Sequence, residues 1–265
     1  MRSCFVRFST ICFLMLCGYI PLSAQHRGYR MQLSNGTSGW VALVNDSEKP
    51  IEAFHFTGQC GNMIGNDFTY DALDSAGSRM LHPSIDGQAF DQNDVVKPGE
   101  RMFSMVNLLP QPSGCAWQGD IDAVIFADGT YEGNETTVRG MQARRDGIAA
   151  ALKYWAQQLH QQAQDNTDAD ALALEAKDLS HEDFKKTMFP GCHKSPLACE
   201  YWRGRQQVDA NIESWGKVKN GSAQKRYGSV LHSMERWQTK MDNDPALTKL
   251  DEIFPLPADI ASSTR

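Results

Sequence analysis

Two kinds of apolar pattern meet in the stretch Asp120-Ile-Asp-Ala-Val-Ile-Phe-Ala-Asp-Gly-Thr-Tyr-Glu-Gly-Asn134. Ile121 to Phe126 is a short apolar run of the kind found in buried strands, and Asp128-Gly129 is a strong turn signal. After Asn134 the apolar residues follow helical spacing. The stretch therefore predicts a chain whose first half is built of strands and whose second half is built of helices.

The first half, residues 30–132, shows short apolar runs separated by turn residues. This pattern predicts an antiparallel β-sandwich of the immunoglobulin-like type. The first two clear runs flank a polar turn and predict a hairpin, in which strict alternation places Ile51 and Ala53 on the same face. Residues 58–92 are rich in Gly, Asp, Asn and Ser, and predict a long connection with one or two weak strands.

The second half, residues 133–256, predicts a bundle of three long and two short helices. Asn134 is placed to cap the first helix, with Glu135 favourable at its positive end. The apolar stripe of that helix contains Val138, Met141, Ile148, Leu152, Trp155 and Leu159. We expect a new helix to begin at Ser180, and we expect residues 257–265 to form a flexible tail. The predicted fold class is therefore α+β.

The N-terminus has the order of a secretory signal peptide: basic residues, a short apolar core, a proline and small residues. Arg2 and Arg7 precede the apolar residues 11–17, and cleavage is expected after Ala24. Residues 1–24 are thus the predicted signal peptide. The alternative is a membrane anchor, which needs about 20 apolar residues, and this run is shorter.

The mature chain is predicted to be secreted or periplasmic, without a transmembrane segment. Acylation of Cys17 is an alternative, but Leu16 stands where a lipoprotein signal needs a small residue. Removal of residues 1–24 deletes two arginines and no acidic residue, which changes the formal net charge from −6 to −8. Nucleic acids and anionic membranes bind basic faces, so this charge argues against both as partners.

Four cysteines follow the signal peptide: Cys60, Cys115, Cys192 and Cys199. An even number in an exported chain is typical of disulfide bonds, and four cysteines permit three pairings. The first two lie in the strand half and the last two in the helical half. Their positions favour a bond of Cys60 with Cys115 and a bond of Cys192 with Cys199.

Three turn and strand motifs carry a resemblance to a known group of proteins. They are the turn at residues 45–50, the turn Lys97-Pro-Gly-Glu100 and the run Val124-Ile-Phe-Ala-Asp-Gly-Thr130. Their arrangement resembles secreted bacterial proteins of unknown function from Acidobacteria, over about residues 38–160. The resemblance implies export and a β-sandwich, and it implies no activity.

Carboxylates crowd around the central stretch, namely Asp120, Asp122, Asp128, Glu132 and Glu135. One interpretation is a calcium site, because Ca²⁺ takes six to eight oxygen ligands. The other is a pair of turns next to the solvent-facing side of a strand. The spacing does not match the calcium loop of an EF-hand, which favours the second interpretation.

A zinc site is a further interpretation, built from His181, Cys192, His193 and Cys199. No close Cys-x-x-Cys pair is present, and a disulfide between the two cysteines explains both of them. The run beginning at His181 lacks the second histidine of the zinc-protease motif, and the chain contains no nucleophile elbow, phosphate-binding loop or dinucleotide fingerprint. We therefore predict no catalytic residue, no metal site and no cofactor.

Four tryptophans lie in the helical half: Trp155, Trp202, Trp215 and Trp237. If exposed, they would form a stacking platform for sugars. Their helical spacing among other apolar residues favours a place in the core, because aromatic side chains mainly supply buried area.

These observations predict a non-enzymatic envelope or periplasmic interaction module, stabilised by two disulfides, with an unidentified protein or glycan as its partner. The alternative is a secreted hydrolase or carbohydrate-binding enzyme. Its cleft would lie between the two halves and would use some of the carboxylates Asp120, Asp122, Asp128 and Glu132.

Overall fold

The computed structural model describes residues 28–33, 40–59, 67–80, 95–105, 118–165, 169–187, 195–216 and 223–261. Within these parts the chain forms seven strands and seven helices. The strands are β1 (Tyr29–Leu33), β2 (Trp40–Asn45), β3 (Ile51–Gln59), β4 (Asp67–Asp71), β5 (Arg101–Met105), β6 (Gln118–Phe126) and β7 (Tyr131–Gly133). The helices are α1 (Ala72–Met80), α2 (Glu135–Asp165), α3 (Ala169–Thr187), α4 (Pro196–Gly216), α5 (Ala223–Asp242), α6 (Pro245–Ile253) and α7 (Ala258–Ala261).

The strands form two antiparallel sheets that contribute side chains to one apolar core. The smaller sheet has the order β1-β2-β5 and the larger has the order β4-β3-β6-β7. Tyr29 and Leu43 of the smaller sheet share a buried cluster with Phe54, Ile121 and Val124 of the larger sheet. The predicted mixture of antiparallel sheets and helices is thus confirmed.

The larger sheet is also covered on its other face, by helices. Ala53, Ala123 and Ile125 of this face pack against Val138 of α2 and Leu250 of α6. Alanine side chains allow the helix backbones to approach the sheet closely. The larger sheet is therefore buried on both faces, which explains why β6 reads as a continuous apolar run rather than as strict alternation.

Two β-bulges interrupt the pairing of β3 with β6. The register shifts between Ile51 and Ala53, where Glu52 is the extra residue, and between His55 and Phe56, where Asp122 is the extra residue. A bulge turns the side chain of its extra residue out of the normal alternation. The predicted shared face of Ile51 and Ala53 is therefore wrong: Ile51 belongs to the core between the sheets, whereas Ala53 faces the helices.

The structure differs from the predictions in several helical segments. Helix α1 lies in the first half, where a connection was expected, and its Gly77 packs against Trp237 of α5. Helix α3 continues through Ser180, where we expected a new helix to begin, and α6 was not predicted at all. The predicted tail from residue 257 begins with α7, whose Ile260 is buried against Tyr201 and other residues of α4.

A second apolar core lies between the helices. It contains Leu152 and Trp155 of α2, Val208 of α4, and Met234 and Trp237 of α5. Trp202 is buried as well, and Trp215 is partly buried against the same core. The prediction that the tryptophans are core residues is confirmed.

No helix that the structure describes is long and apolar enough to cross a bilayer.

Helices α2 and α4 run in the same direction and touch through two glycines. Near their N-terminal ends, Gly140 of α2 lies beside Glu200 of α4. Further along both helices, the indole of Trp155 in α2 donates a 2.6 Å hydrogen bond to Asp209 in α4. Between these points, a Cβ added at Gly147 or at Gly204 would clash with the backbone of the other helix. The absence of side chains at both positions therefore sets the distance between the two helices.

A buried arginine joins the larger sheet to α2. Arg145 is 1% exposed, and its Nε and Nη2 donate to the Asp71 carboxylate at 2.6 and 3.1 Å. Its Nη2 also lies 2.6 Å from the carboxylate of Glu52, the extra residue of the first bulge. Desolvation outweighs the attraction of Arg145 and raises the pKa of Glu52 to about 7. Asp71 additionally caps α1 by accepting a 2.9 Å bond from the amide of Leu73.

Candidate functional site

A cleft of about 530 Å³ lies where the larger sheet meets the first turns of α2 and α4. Its floor is formed by His55 of β3 and Thr69 of β4, which are cross-strand partners. The α2 wall consists of Thr136, Thr137, Gly140, Met141 and Arg144. The α4 wall consists of Pro196, Leu197, Cys199, Glu200 and Arg203. Ligand pockets of about 300–1,000 Å³ are typical, so the cleft has the size for one small molecule.

His55 is oriented by two further side chains. Its Nδ1 lies 2.6 Å from Oδ1 of Asp122, and Oδ2 of Asp122 accepts a 3.0 Å hydrogen bond from the hydroxyl of Thr137. The three residues come from β3, β6 and α2, so the sheet and the helix together fix the imidazole ring. Because Asp122 occupies Nδ1, Nε2 is the ring nitrogen that remains for a molecule in the cleft.

The junction between β7 and α2, which contacts β6, explains why Asp122 and Thr137 meet. Asp122 is the extra residue of a bulge, and its backbone oxygen accepts a 2.7 Å bond from the amide of Asn134. Gly133 has a φ of 98°, and a Cβ at this position would clash with that same oxygen. The Asn134 side chain then accepts from the amides of Thr136 and Thr137, which confirms the predicted helix cap.

Two arginines lie on the helix walls, about two helical turns in from the first residues of α2 and α4. Nη2 of Arg144 donates to Gln207 at 2.8 Å and lies 3.5 Å from Asp74 of α1. Nη1 of Arg203 pairs with Glu200, one turn earlier on the same helix. Nε of Arg144 is buried and has no hydrogen-bond partner among the residues that the structure describes.

Of the carboxylates that suggested a calcium site, Asp122 is the one that bonds to a cleft residue. Asp120 accepts from a neighbouring backbone amide. Asp128 pairs with Lys49 at 2.8 Å, and this contact holds the pKa of Asp128 below its usual range. The remaining two are exposed: Glu132 and Glu135. In the described parts of the chain, no three His, Cys, Asp or Glu side chains come together as a metal site would require.

Among the residues that the structure describes, three of the four carboxylates predicted for the alternative enzyme lie outside this cleft, while Asp122 contacts it through His55. Asp120, Asp128 and Glu132 do not line the cleft between the sheet and the helices. The acidic side chain that does line it is Glu200, which is already paired with an arginine. The described cleft is therefore rich in hydrogen-bond donors rather than in carboxylates.

Cys199 is disulfide-bonded and forms part of the α4 wall. A disulfide sulfur is not a thiolate, so Cys199 is not a ligand for the zinc site considered from the sequence. Cys60, Cys115 and Cys192 lie outside the described residues, as does His193. The pairing of Cys60 with Cys115 and of Cys192 with Cys199 therefore stays a prediction.

Sequence reasoning missed His55, Arg144 and Arg203. His55 and Asp122 are separated by 67 positions, and they meet only because a bulge turns Asp122 towards the helices. No local spacing signals such a bulge. The arginines belong to two helices whose parallel packing depends on close contacts at Gly147 and Gly204. A glycine within a helical pattern does not by itself indicate such a contact.

A pair of carboxyl groups links α2 to α6 near the sheet. The Gln142 side-chain amide contacts Asp146 at 3.2 Å and also donates to Asp251. Burial, followed by repulsion from Asp251, raises the pKa of Asp146 to about 7. The pKa of Asp251 is also raised, chiefly by burial. Near neutral pH, the proton that Asp146 retains therefore joins it to the carboxylate of Asp251.

We expect the Asp146→Asn variant to unfold with less pH dependence than the wild type. The folded state keeps a proton on Asp146 up to about pH 7, whereas the unfolded state loses it near 3.8. This contribution to stability is thus fully present below pH 3.8 and is lost as pH rises through 7. Asn keeps the hydrogen bond without the proton, so the variant should gain on the order of 2 kcal/mol over the wild type at pH 8. Urea unfolding at pH 5 and pH 8 measures the difference.

The exposed Glu132 supplies the control for that experiment. Glu132→Gln removes the same charge from the surface, and it should leave the difference in unfolding free energy between the two pH values unchanged. An Asp146→Asn variant with the wild-type pH dependence would contradict the shared proton.

Comparison with models of protein families, with curated proteins and with solved structures gives no match for this chain.

Proposed function

We propose that the chain is an exported, non-enzymatic binding module that holds its ligand in the cleft between the larger sheet and the first turns of α2 and α4. The cleft itself carries this proposal: it has the volume of a ligand site, and its walls combine apolar side chains with oriented hydrogen-bond donors. The signal peptide predicted at residues 1–24, and the resemblance to secreted bacterial proteins, support export to the periplasm or the medium.

The architecture that we propose for this module is an immunoglobulin-like β-sandwich joined to a helical bundle. The apolar cluster shared by the two sheets supports the sandwich. The cluster shared by α2, α4 and α5 supports the bundle. The two disulfides predicted from the sequence would stabilise these two parts, and the disulfide at Cys199 supports an oxidising compartment.

A hydrolase is the second candidate, and one observation favours it. Asp122 orients the ring of His55, and Thr137 orients Asp122. A histidine held in this way is suited to act as a general base, because the carboxylate fixes the ring while the other nitrogen takes a proton. The binding module ranks first because the described cleft offers no activated nucleophile and no group of metal ligands.

The binding module is tested by screening a fragment library against the protein by ligand-observed NMR. The chain is first produced with its signal peptide. Intact mass should show a protein that begins at Gln25 and that is lighter than the reduced chain by the four hydrogens that two disulfides remove. Fragments that bind the wild type should lose at least tenfold in affinity for Gly140→Trp, because position 140 opens into the cleft and a Cβ there meets only Glu200, at 3.5 Å.

Gly228→Trp is the matched control for that experiment. Gly228 also lies in a helix, it is exposed, and nothing lies within 4 Å of a Cβ added there. Fragments should bind this variant as they bind the wild type. Fragments that bind Gly140→Trp equally well would place the binding site elsewhere. The wild type and His55→Gln are also tested for hydrolysis of fragment esters to acids. If the wild type hydrolyses them and His55→Gln does not, the protein is a hydrolase and the proposed binding module is wrong.

A further inference from the structure

We propose that the ligand of the cleft is a small organic acid, whose carboxylate binds Arg144 and Arg203 and whose apolar body packs on Met141 and Leu197. This inference rests on the proposed function, because it assigns a ligand class to the same cleft. Four independent features of the cleft point to this class: the arginines, the two helix N-termini, the hydroxyl groups and the apolar middle of the walls.

The arginines retain hydrogen-bond donors beyond the contacts they make within the protein. A guanidinium carries five N–H donors in a planar fork that matches a carboxylate. Arg144 uses Nη2 for Gln207 and Asp74, but 30% of its side chain is exposed and the residue lines the cleft. Arg203 uses Nη1 for Glu200, and 51% of its side chain is exposed. Each arginine can therefore donate to a carboxylate without losing its present partners.

The backbone adds positive potential at the other end of the same cleft, about two helical turns from the arginines. Because α2 and α4 run parallel, the first turns of both helices line one cleft, at Thr136 and Thr137 on one side and at Pro196 and Leu197 on the other. The N-terminal end of a helix carries about half a positive charge. Two such ends favour an anion over a cation, and among the described residues that line the cleft Glu200 is the one carboxylate that opposes them.

The apolar residues that line the cleft indicate which chemical group is attached to the carboxylate of the ligand. Met141 and Leu197 present apolar surface from facing walls, between the arginines and the hydroxyls of Thr136 and Thr137. A fully hydrated inorganic anion would leave this surface without a contact. An acid with an apolar body buries it, and removing apolar surface from water favours binding. The cleft therefore fits an organic acid better than it fits phosphate or sulfate.

The proposal is tested with three probes that share one apolar body: 3-phenylpropionate, 3-phenylpropionamide and 3-phenylpropylamine. Binding to the wild-type chain is measured by NMR titration. The acid should bind at least tenfold more tightly than the amide, and the amine should bind least. Arg203→Gln should weaken the acid by about tenfold and leave the amide unchanged. This arginine is half exposed, with 51% of its side chain accessible, so its replacement should not unfold the protein.

Lys153→Gln is the control for the loss of one positive charge, because Lys153 is exposed on α2 and does not line the cleft. Acid binding should be the same in this variant as in the wild type. An equal loss in both variants would show general attraction by charge, and would overturn the proposal.

The outcomes distinguish an error in the proposed ligand class from an error in the proposed binding site. If the amide or the amine binds as well as the acid, and Gly140→Trp abolishes that binding, the cleft is a binding site but its ligand is not an acid. If none of the three probes binds, but other fragments bind the wild type and not Gly140→Trp, the proposal of an acid ligand is wrong. The proposal of a binding module then remains supported. If the acid binds Gly140→Trp as it binds the wild type, the assignment to the cleft fails.

Discussion

Gly147→Ala is expected to lower the free energy of unfolding by at least about 2 kcal/mol, although alanine is the better helix former. The methyl group would clash with the backbone oxygen of Tyr201 and would lie 3.2 Å from the nitrogen of Arg205. Overpacking of this kind costs about 1–3 kcal/mol or more, and backbone atoms cannot rotate away. The gain in helix propensity is at most about 1 kcal/mol, so the clash determines the sign. Urea unfolding at neutral pH measures the change.

Two further alanine variants check the explanation. Gly204→Ala meets the backbone of α2 at Arg144 and Ile148, and should be destabilised by a similar amount. Gly140→Ala lies on the same helix as Gly147, but its Cβ makes only an ordinary contact of 3.5 Å with the Glu200 side chain. It should be neutral or more stable by up to about 1 kcal/mol. Equal stabilities of the position 140 and position 147 variants would contradict the proposed close contact between α2 and α4.

Arg145→Met is expected to cost about 3–5 kcal/mol of folding free energy at neutral pH. The arginine is buried between the carboxylates of Asp71 and Glu52, and methionine fills much of its volume without its charge. Two buried acids would then remain uncompensated, and breaking a buried ion pair by removing one partner costs this much. Thermal and urea unfolding should both report the loss.

The triple variant Glu52→Gln, Asp71→Asn, Arg145→Met should recover part of that loss. It removes all three charges together, and asparagine at position 71 can still cap α1. Arg139→Met is the surface control, because Arg139 is exposed on the same helix, over the ring of Phe254. It should change stability by less than about 1 kcal/mol. A loss for Arg145→Met no larger than this would show that the buried ion pairs contribute little.

The parts of the fold that were predicted correctly have strong local signals. The switch from strand to helix falls at Asn134 because a turn, a cap and a change of apolar period coincide there. The buried stripe from Val138 to Leu159 follows from helical spacing alone. The tryptophans were placed in the core by the same spacing. Each of these signals can be read within about ten residues of sequence, where local pattern and final burial agree.

The parts that were missed depend on distant contacts. Helix α1 has one leucine and an internal glycine, and that glycine is needed because the ring of Trp237 lies against it. The two bulges move Glu52 and Asp122 to the helix side of the sheet, although both strands read as unbroken runs. The cleft combines both effects, so its histidine and arginines could not be recognised before the positions of the helices were known.

Helix α6 completes the cover of the larger sheet late in the synthesis of the chain. Ala53 and Ala123 belong to strands that are synthesised long before Ala246 and Leu250 of α6, which pack on them. Domains normally fold as their residues leave the ribosome. This face of the sheet must therefore wait, covered in part by α2, until α6 has left the ribosome as well. A nonsense mutation just before codon 245 would yield a product that has all the strands but lacks part of the apolar cover of the larger sheet.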